Sequence, residues 1–365
     1  MPEFIVNVWN GFDGDAAFEA TLPVALHGRR IAALDERNRI RLVFLHGLER
    51  LSPGYRDGLK ALGFAIEDAS ALAAELEPRL GILRERWKDW GGIRHFGLLR
   101  FLVMARLFRG QPIITFDADM VLNVPFSALE AAVGPELFFL GGSSCFGAIP
   151  PGSDFFAILE EQVARMLRDP EAYARDVAEV PSAEALFDPM RMHGTDQGII
   201  ALLQRRRLLA NGPGTRRVEA SGLLAFANLL SAHRRGLCDL AYERREGVDH
   251  LGGKPVMIWH MSNDLCAYLA QFVFLRDWLG EDALPLLGRQ PVPRAHYGID
   301  GGDPALGALF AALRPVAERY RLAERTGRSP FARERICRAL FEESDFGFIL
   351  DDRVWHTPGV FRARG

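Results

Sequence analysis

Lysine is nearly missing from this chain of 365 residues: of its 44 basic residues only three, Lys60, Lys88 and Lys254, are lysines, and the rest are arginines. A net basic charge is missing as well. The formal charge is −3, which argues against a general nucleic-acid binder, because such proteins need a basic surface to neutralise phosphates. The four cysteines, Cys145, Cys238, Cys266 and Cys337, are far apart and form no C-x-x-C pair. That spacing speaks against a zinc knuckle or a dithiol redox motif and fits a reducing compartment. Residues 1–10 lack the basic start and apolar stretch of a secretion signal. No run approaches the roughly 18 apolar residues needed to span a bilayer. A cytoplasmic protein is expected, with peripheral contact to a membrane left open. Repeats and low-complexity tracts are absent, and 48% hydrophobic with 25% charged residues is an ordinary globular composition with material for a large core.

What the chain does have is alternation. Residues 4–9, 40–45 and 63–66 are short apolar, β-branched runs that read as strands, the first broken by Asn10-Gly11 and the second by His46-Gly47. Helical segments are expected at 15–26, 55–62, 71–90 and 95–108, the last with an apolar face of Leu98, Leu99, Leu102, Val103 and Leu107. Strand following helix in this way predicts an α/β fold, a mostly parallel Rossmann-like sheet with helices on both faces and ligands at the carboxyl ends of its strands. Further strands are expected at 137–140, 145–149 and 256–259, and helices at 154–173 and 196–209, the latter capped by Thr195. After about residue 266 the pattern turns to helices and proline-rich links at Pro285, Pro291 and Pro293. The expected organisation is one α/β unit over 1–265, in halves of about 1–125 and 126–265, with a helical C-terminal extension over 266–365.

The chemical lead lies in Pro112-Ile113-Ile114-Thr115-Phe116-Asp117-Ala118-Asp119, an apolar strand that ends in two carboxylates. If the strand continues, Asp117 and Asp119 point to one side and Ala118 to the other. Their repulsion at about 4 Å would be on the order of a few kcal/mol at an effective dielectric near 20, and a divalent cation would relieve it. A magnesium- or manganese-sized ion takes one or two carboxylates and fills its shell with phosphate oxygens and water. The competing explanation is a turn capped by aspartate, since Asn123 and Pro125 follow closely. Asp13-Gly14-Asp15 is a second Asp-x-Asp, but its glycine setting marks a turn.

Arg100-Phe101 on a helix followed by the Ile113-to-Asp119 strand resembles the donor-site region of GT-A nucleotide-sugar glycosyltransferases, with glycosyltransferase family 8 as the nearest pattern. The later segments Gly141-Gly142-Ser143-Ser144-Cys145-Phe146 and Thr195-Asp196-Gln197-Gly198 come in the order of that family, and the resemblance spans about residues 1–265. It implies a GT-A-like fold and a hexosyltransferase-type enzyme moving a sugar from a nucleotide diphosphate sugar, a UDP-sugar, to an acceptor hydroxyl with retention of configuration. It also implies Mn2+ or Mg2+ held by Asp117, Asp119 and a late histidine, for which His260 is the match. Donor contacts would come from Trp9, Asn10, Arg100, Asp117 and Lys254, and the sugar would face Asp196 and Gln197. The family usually places its histidine before its lysine, whereas here Lys254 precedes His260. The acceptor would be a glycan, a lipid-linked glycan or a protein, as in polysaccharide biosynthesis.

Bland duties compete with each of these residues. Trp9 can pack in a core, Arg100 can make an ion pair, Asp196 can favour a helix N-terminus, His260 can end a strand, and Lys254 can sit in a solvated turn. His193 could join a metal site only if it shared a helix face with Asp196, which Gly194 disfavours. Residues 113–121 also fit the first motif of haloacid-dehalogenase-like phosphatases, with Asp117 as nucleophile and Asp119 as general acid around magnesium. More than a hundred residues of βα pattern precede the motif, and no convincing acidic motif at a strand end follows Lys254, so the glycosyltransferase reading accounts for more of the chain. A sugar-nucleotide-binding protein without turnover would keep the same pocket.

Overall fold

The computed structural model describes residues 1–11, 14–15, 18, 24–34, 36–86, 93–118, 120–140, 144–178, 195–205, 218, 221–223, 242–251 and 253–260. The helical extension expected over 266–365 lies outside the described residues, as do Asp119 and His193. The first elements are β1 (Glu3–Trp9), α1 (Val24–Ala33), β2 (Ile40–His46), α2 (Pro53–Ala61), β3 (Ala65–Asp68), α3 (Ser70–Leu76), α4 (Gly81–Arg86), α5 (Ile93–Leu107) and β4 (Ile113–Phe116). There follow β5 (Met120–Leu122), α6 (Phe126–Val133), β6 (Phe138–Phe139), β7 (Phe146–Ile149), α7 (Phe155–Arg168), α8 (Pro170–Ala178) and α9 (Asp196–Arg205). Four late strands close the sequence of elements: β8 (Tyr242–Arg245), β9 (Val248–Leu251), β10 (Lys254–Pro255) and β11 (Ile258–His260).

Among the described residues the main sheet has six strands in the order β3-β2-β1-β4-β7-β6. β1 lies parallel to both β2 and β4, and β2 lies parallel to β3, as the alternation predicts. β7 runs antiparallel to β4 and to β6, so it alone opposes the rest. The reason is connection length, since the short link from β6 to β7 allows a hairpin where a parallel neighbour needs a long crossover. Side-chain alternation splits the sheet between two cores. Phe4, Val6, Val8, Leu42, Phe44, Ile114 and Phe116 face α1, α2 and α6, whereas Ile5, Val43, Leu45 and Ile113 face α3, α4, α5, α7 and α9. Each fully buried side chain of this size stabilises the fold by about 1.5–3 kcal/mol.

Two expected long helices are divided, and proline is the cause in both. The 71–90 segment breaks at a 3-10 turn, Glu77–Leu80, with Pro78 in its first positions. The 154–173 segment breaks at Asp169, whose Oδ1 accepts the Ala172 N–H at 2.9 Å while Pro170, which has no N–H to give, starts α8.

The late strands return to the first half of the chain. β8, β9 and β10 form a small antiparallel sheet, and β11 pairs antiparallel with β5, setting Ile258, Trp259 and His260 opposite Leu122, Val121 and Met120. A buried polar hub holds this junction. Asn123 donates its side-chain N–H to the Val256 carbonyl at 2.6 Å and its backbone N–H to the Met257 carbonyl at 3.0 Å. Arg30 of α1 donates to Asn123 Oδ1 at 2.5 Å and to the Gly247 carbonyl in the β8–β9 turn at 2.6 Å. His27, also on α1, accepts the Leu122 N–H through Nε2 at 3.1 Å.

Burial lowers the His27 pKa from 6.5 to about 3, so the ring stays neutral in the folded state while the unfolded chain takes up a proton below about 6.5. Stability from this group is therefore present above pH 6.5 and lost as pH falls toward 3, at about 1.4 kcal/mol per unit. Urea unfolding should lose about 2 kcal/mol between pH 6.5 and about pH 5 on account of His27. His27→Gln keeps an acceptor for the Leu122 N–H and should flatten that slope; an identical slope in the variant would place the acid sensitivity elsewhere.

Candidate functional site

Asp117 follows the last residue of β4, on the side of the sheet already taken by Ile113, the side that faces α5. β4 ends at Phe116, before either carboxylate of the motif. Met120 donates its N–H to the Asp117 carbonyl at 3.0 Å, so the chain turns here and strand alternation does not carry past Phe116. The Asp117 N–H in turn donates to the Cys145 carbonyl at 2.9 Å, which fixes the turn against the start of β7.

The charge beside Asp117 also differs from the expectation. Arg100 points from α5 into the end of the sheet, is only 5% exposed, and pairs through Nη1 with Asp117 Oδ1. Its Nε and Nη2 both donate to Asp196 Oδ2, at 3.0 and 2.5 Å, and Nη2 also reaches the Ser144 carbonyl at 3.2 Å. Burial by itself would lower the Arg100 pKa, but Asp117 and Asp196 outweigh it and hold the group above its ordinary range. A guanidinium therefore meets the first carboxylate of the motif, so charge repulsion alone no longer calls for a metal. One cation between two carboxylates still leaves the trio at −1.

Asp196 opens α9, as the sequence indicates. Thr195 caps the helix, its Oγ1 accepting the Gly198 N–H at 2.9 Å. Asp196 Oδ1 accepts the N–H of Gln197 at 2.9 Å, and the carboxylate lies against α5 at Gly97, where a Cβ would fall 2.5 Å from Oδ1. Glycine at 97 is what lets the two helices bring acid and arginine together. Gln197 is half-buried and donates from Nε2 to Cys145 Sγ at 3.6 Å. Asp117, Arg100, Ser144, Cys145, Asp196 and Gln197 thus meet at one edge of the sheet.

The other candidates are distributed around that edge. Trp9, at the end of β1, stacks on His46 at the end of β2 with ring centroids 4.8 Å apart and meets His95 of α5 edge-on at 5.8 Å. Asn10 is wholly buried, and its amide donates to the Gly47 carbonyl at 2.9 Å. Gly47 has φ +79, and a Cβ there would come 2.0 Å from the Asn10 carbonyl oxygen, so the β1 and β2 ends are locked at a glycine. The β5–β11 register puts the backbone of His260 opposite Met120, directly after the Asp-Ala-Asp turn. Lys254 sits exposed on β10. Asp15 is engaged by the start of α2, accepting from the Ser52 N–H at 2.8 Å and the Ser52 hydroxyl at 2.6 Å, and Asp13 lies outside the described residues. Among the described residues there is no group of three or more His, Cys, Asp or Glu side chains placed to hold a metal, and no helix long and apolar enough to cross a membrane.

Sequence reasoning named Arg100, Asp117 and Asp196 separately and missed that they form one trio. Gly97 carried an available signal: a glycine inside an otherwise apolar helix costs about 1 kcal/mol relative to alanine, which marks a close approach.

No protein-family model and no curated protein matches the chain. Among solved structures, apo mouse xyloside xylosyltransferase 1 is similar over 58% of this chain and 84% of that one, at 12% identity and a TM-score of 0.35. The PaToxG glycosyltransferase is similar over 60% of this chain and 73% of that one, at 11% identity and a TM-score of 0.33.

Proposed function

We propose that this protein is a metal-dependent glycosyltransferase of GT-A-like fold, close to the family 8 pattern, that moves a sugar from a UDP-sugar to an acceptor hydroxyl with retention. The observation that carries the reading is the acid-rich trio of Asp117, Arg100 and Asp196 at the strand ends, with the backbone of residue 260 registered beside the Asp-Ala-Asp turn. Ligands of parallel α/β sheets bind at that edge. The residues fit a hard divalent ion, Mn2+ or Mg2+, because Asp117 and Asp119 offer carboxylate oxygens and His260 an imidazole, and pairing of β11 with β5 brings their chain positions together. Such an ion would supply Lewis-acid relief of the charge on the leaving diphosphate.

The chain's own residues do the remaining work. Arg100 fixes the Asp117 carboxylate, Gln197 presents its amide to the donor sugar, and Trp9 lines the β1–β2 end of the edge on the nucleotide side. Asn10 keeps that end closed, and Lys254, exposed on β10, would offer its ammonium to the diphosphate. The acceptor is a glycan, lipid-linked glycan or protein, not a nucleic acid.

A thermal-shift panel tests the reading. Mn2+ with UDP at a hundred times its dissociation constant should add about 2.7 kcal/mol of stability. A response to beryllofluoride with magnesium and none to Mn2+–UDP would assign Asp117 to phosphatase chemistry instead. Stabilisation by Mn2+–UDP without sugar release from any UDP-sugar, with acceptors supplied, would leave a binding protein.

A further inference from the structure

We infer that Asp196 is a positioning residue, which holds Arg100 and through it the orientation of Asp117, and that Gln197 alone of the Asp-Gln pair is left to meet a ligand. This rests on the function proposed above. A carboxylate offers about four acceptor positions, and three of those of Asp196 are engaged inside the protein. Oδ2 receives both Nε and Nη2 of Arg100, at 3.0 and 2.5 Å, and Oδ1 receives the Gln197 N–H at 2.9 Å. The side chain is 7% exposed and its α5 side is shut by the backbone of Gly97, since even a methyl group there would come within 2.5 Å of Oδ1. Both Oδ2 positions are taken by the Arg100 fork, and at 7% exposure the carboxylate offers a sugar hydroxyl little surface. Gln197, one residue on, is half-buried and has its amide at the Cys145 thiol on the β7 side of the edge.

The trio also has an electrostatic consequence. Asp196 shares the single positive charge that would otherwise go wholly to Asp117, and this keeps the trio at −1 and attractive to a cation. Neutralising Asp196 would pair Arg100 with Asp117 alone and bring the trio to zero.

The experiment compares full-length wild type with Asp196→Asn, Gly97→Ala and Asp117→Asn, each checked for folding by circular dichroism. The probe is Mn2+ with UDP, which lacks the sugar that a catalytic Asp196 would touch. Both Asp196→Asn and Gly97→Ala should weaken Mn2+–UDP binding about tenfold, the order expected when a unit charge near a divalent cation is removed or displaced in a polar site. Gly97→Ala is informative because alanine favours the helix, so a loss there reports displacement of Asp196 rather than a weaker α5. Unchanged Mn2+–UDP affinity in Asp196→Asn, with sugar transfer alone reduced, would overturn the inference and make Asp196 a sugar contact.

A second readout is independent of any ligand. The Arg100 Nε–H resonance in nitrogen-15 NMR should be protected from solvent exchange in wild type and in Asp117→Asn and lose that protection in Asp196→Asn and Gly97→Ala. If wild type binds neither Mn2+ nor UDP, the functional reading fails and this resonance decides the positioning role by itself: protection retained in both Asp196→Asn and Gly97→Ala overturns it. If Asp196→Asn does not fold, Gly97→Ala supplies the same two readouts.

Discussion

Replacing Arg100 with leucine is expected to cost about 3–5 kcal/mol of folding stability, because the change strands the Asp196 carboxylate and its neighbour Asp117 without their shared cation. The cost comes from geometry more than from a sum of attractions. Asp196 is 7% exposed and Asp117 25% exposed along their side chains, so Asp196 in particular has little water to turn to once the guanidinium is gone. Urea unfolding of Arg100→Leu measures the loss. Combining it with Asp196→Asn should return more than half of the stability, since the uncompensated buried charge is then removed as well. Arg100→Lys should fall between wild type and leucine: it keeps the charge but lacks the planar fork that reaches Asp117, Asp196 and the Ser144 carbonyl together. A loss below about 1 kcal/mol in Arg100→Leu would mean that the trio is not held as described.

Changing Asp119 to alanine should reduce Mn2+-dependent sugar release from a UDP-sugar by about a thousandfold, the scale of losing one well-placed electrostatic group at a reacting centre. Stability should change little, because the turn is held by backbone bonds from Asp117 and Met120 that do not involve the Asp119 side chain. The measurement is initial release rate against Mn2+ concentration for both proteins, beside a thermal melt. Full activity in the variant would remove Asp119 from the mechanism and leave the metal without its second carboxylate. A parallel fall in activity and melting temperature would make the residue structural.

Much of the architecture was legible in the sequence where it depends on local pattern. The β-rich runs of β1, β2 and β4 and the apolar stripe of α5 gave the parallel half of the sheet, and Thr195 before Asp196 gave the start of α9. Features that depend on partners distant in the chain were not legible. β5 and β11 have three residues each, too few for a periodic signal, and they exist as strands because each satisfies the other's backbone. The orientation of β7 follows from a short connection and the hairpin it permits. At the site, two acids one residue apart suggested a cation, and the cation the fold supplies is an arginine from a helix that precedes them. That partner was visible as Arg100, but an arginine on an apolar helix does not disclose which side of the sheet it enters. Gly97 and the division of the 154–173 segment at Pro170 follow rules that single residues announce, and both could have been weighted more heavily.

The pairing of β11 with β5 sets an order of events during synthesis. The strands β1 to β4, β6 and β7 are all encoded before residue 150, so the nascent chain can assemble the six-stranded sheet early. Asn123 and Arg30 wait for Val256, Met257 and Gly247, contacts separated by 133 and 217 residues for Val256 and Gly247. Contacts of such separation carry a large loop-closure cost and form late. Until they form, β5 lacks its partner strand, and Arg30 and Asn123 lack those acceptors. The nascent chain thereby completes the junction behind the Asp117 turn only after the sheet that carries it.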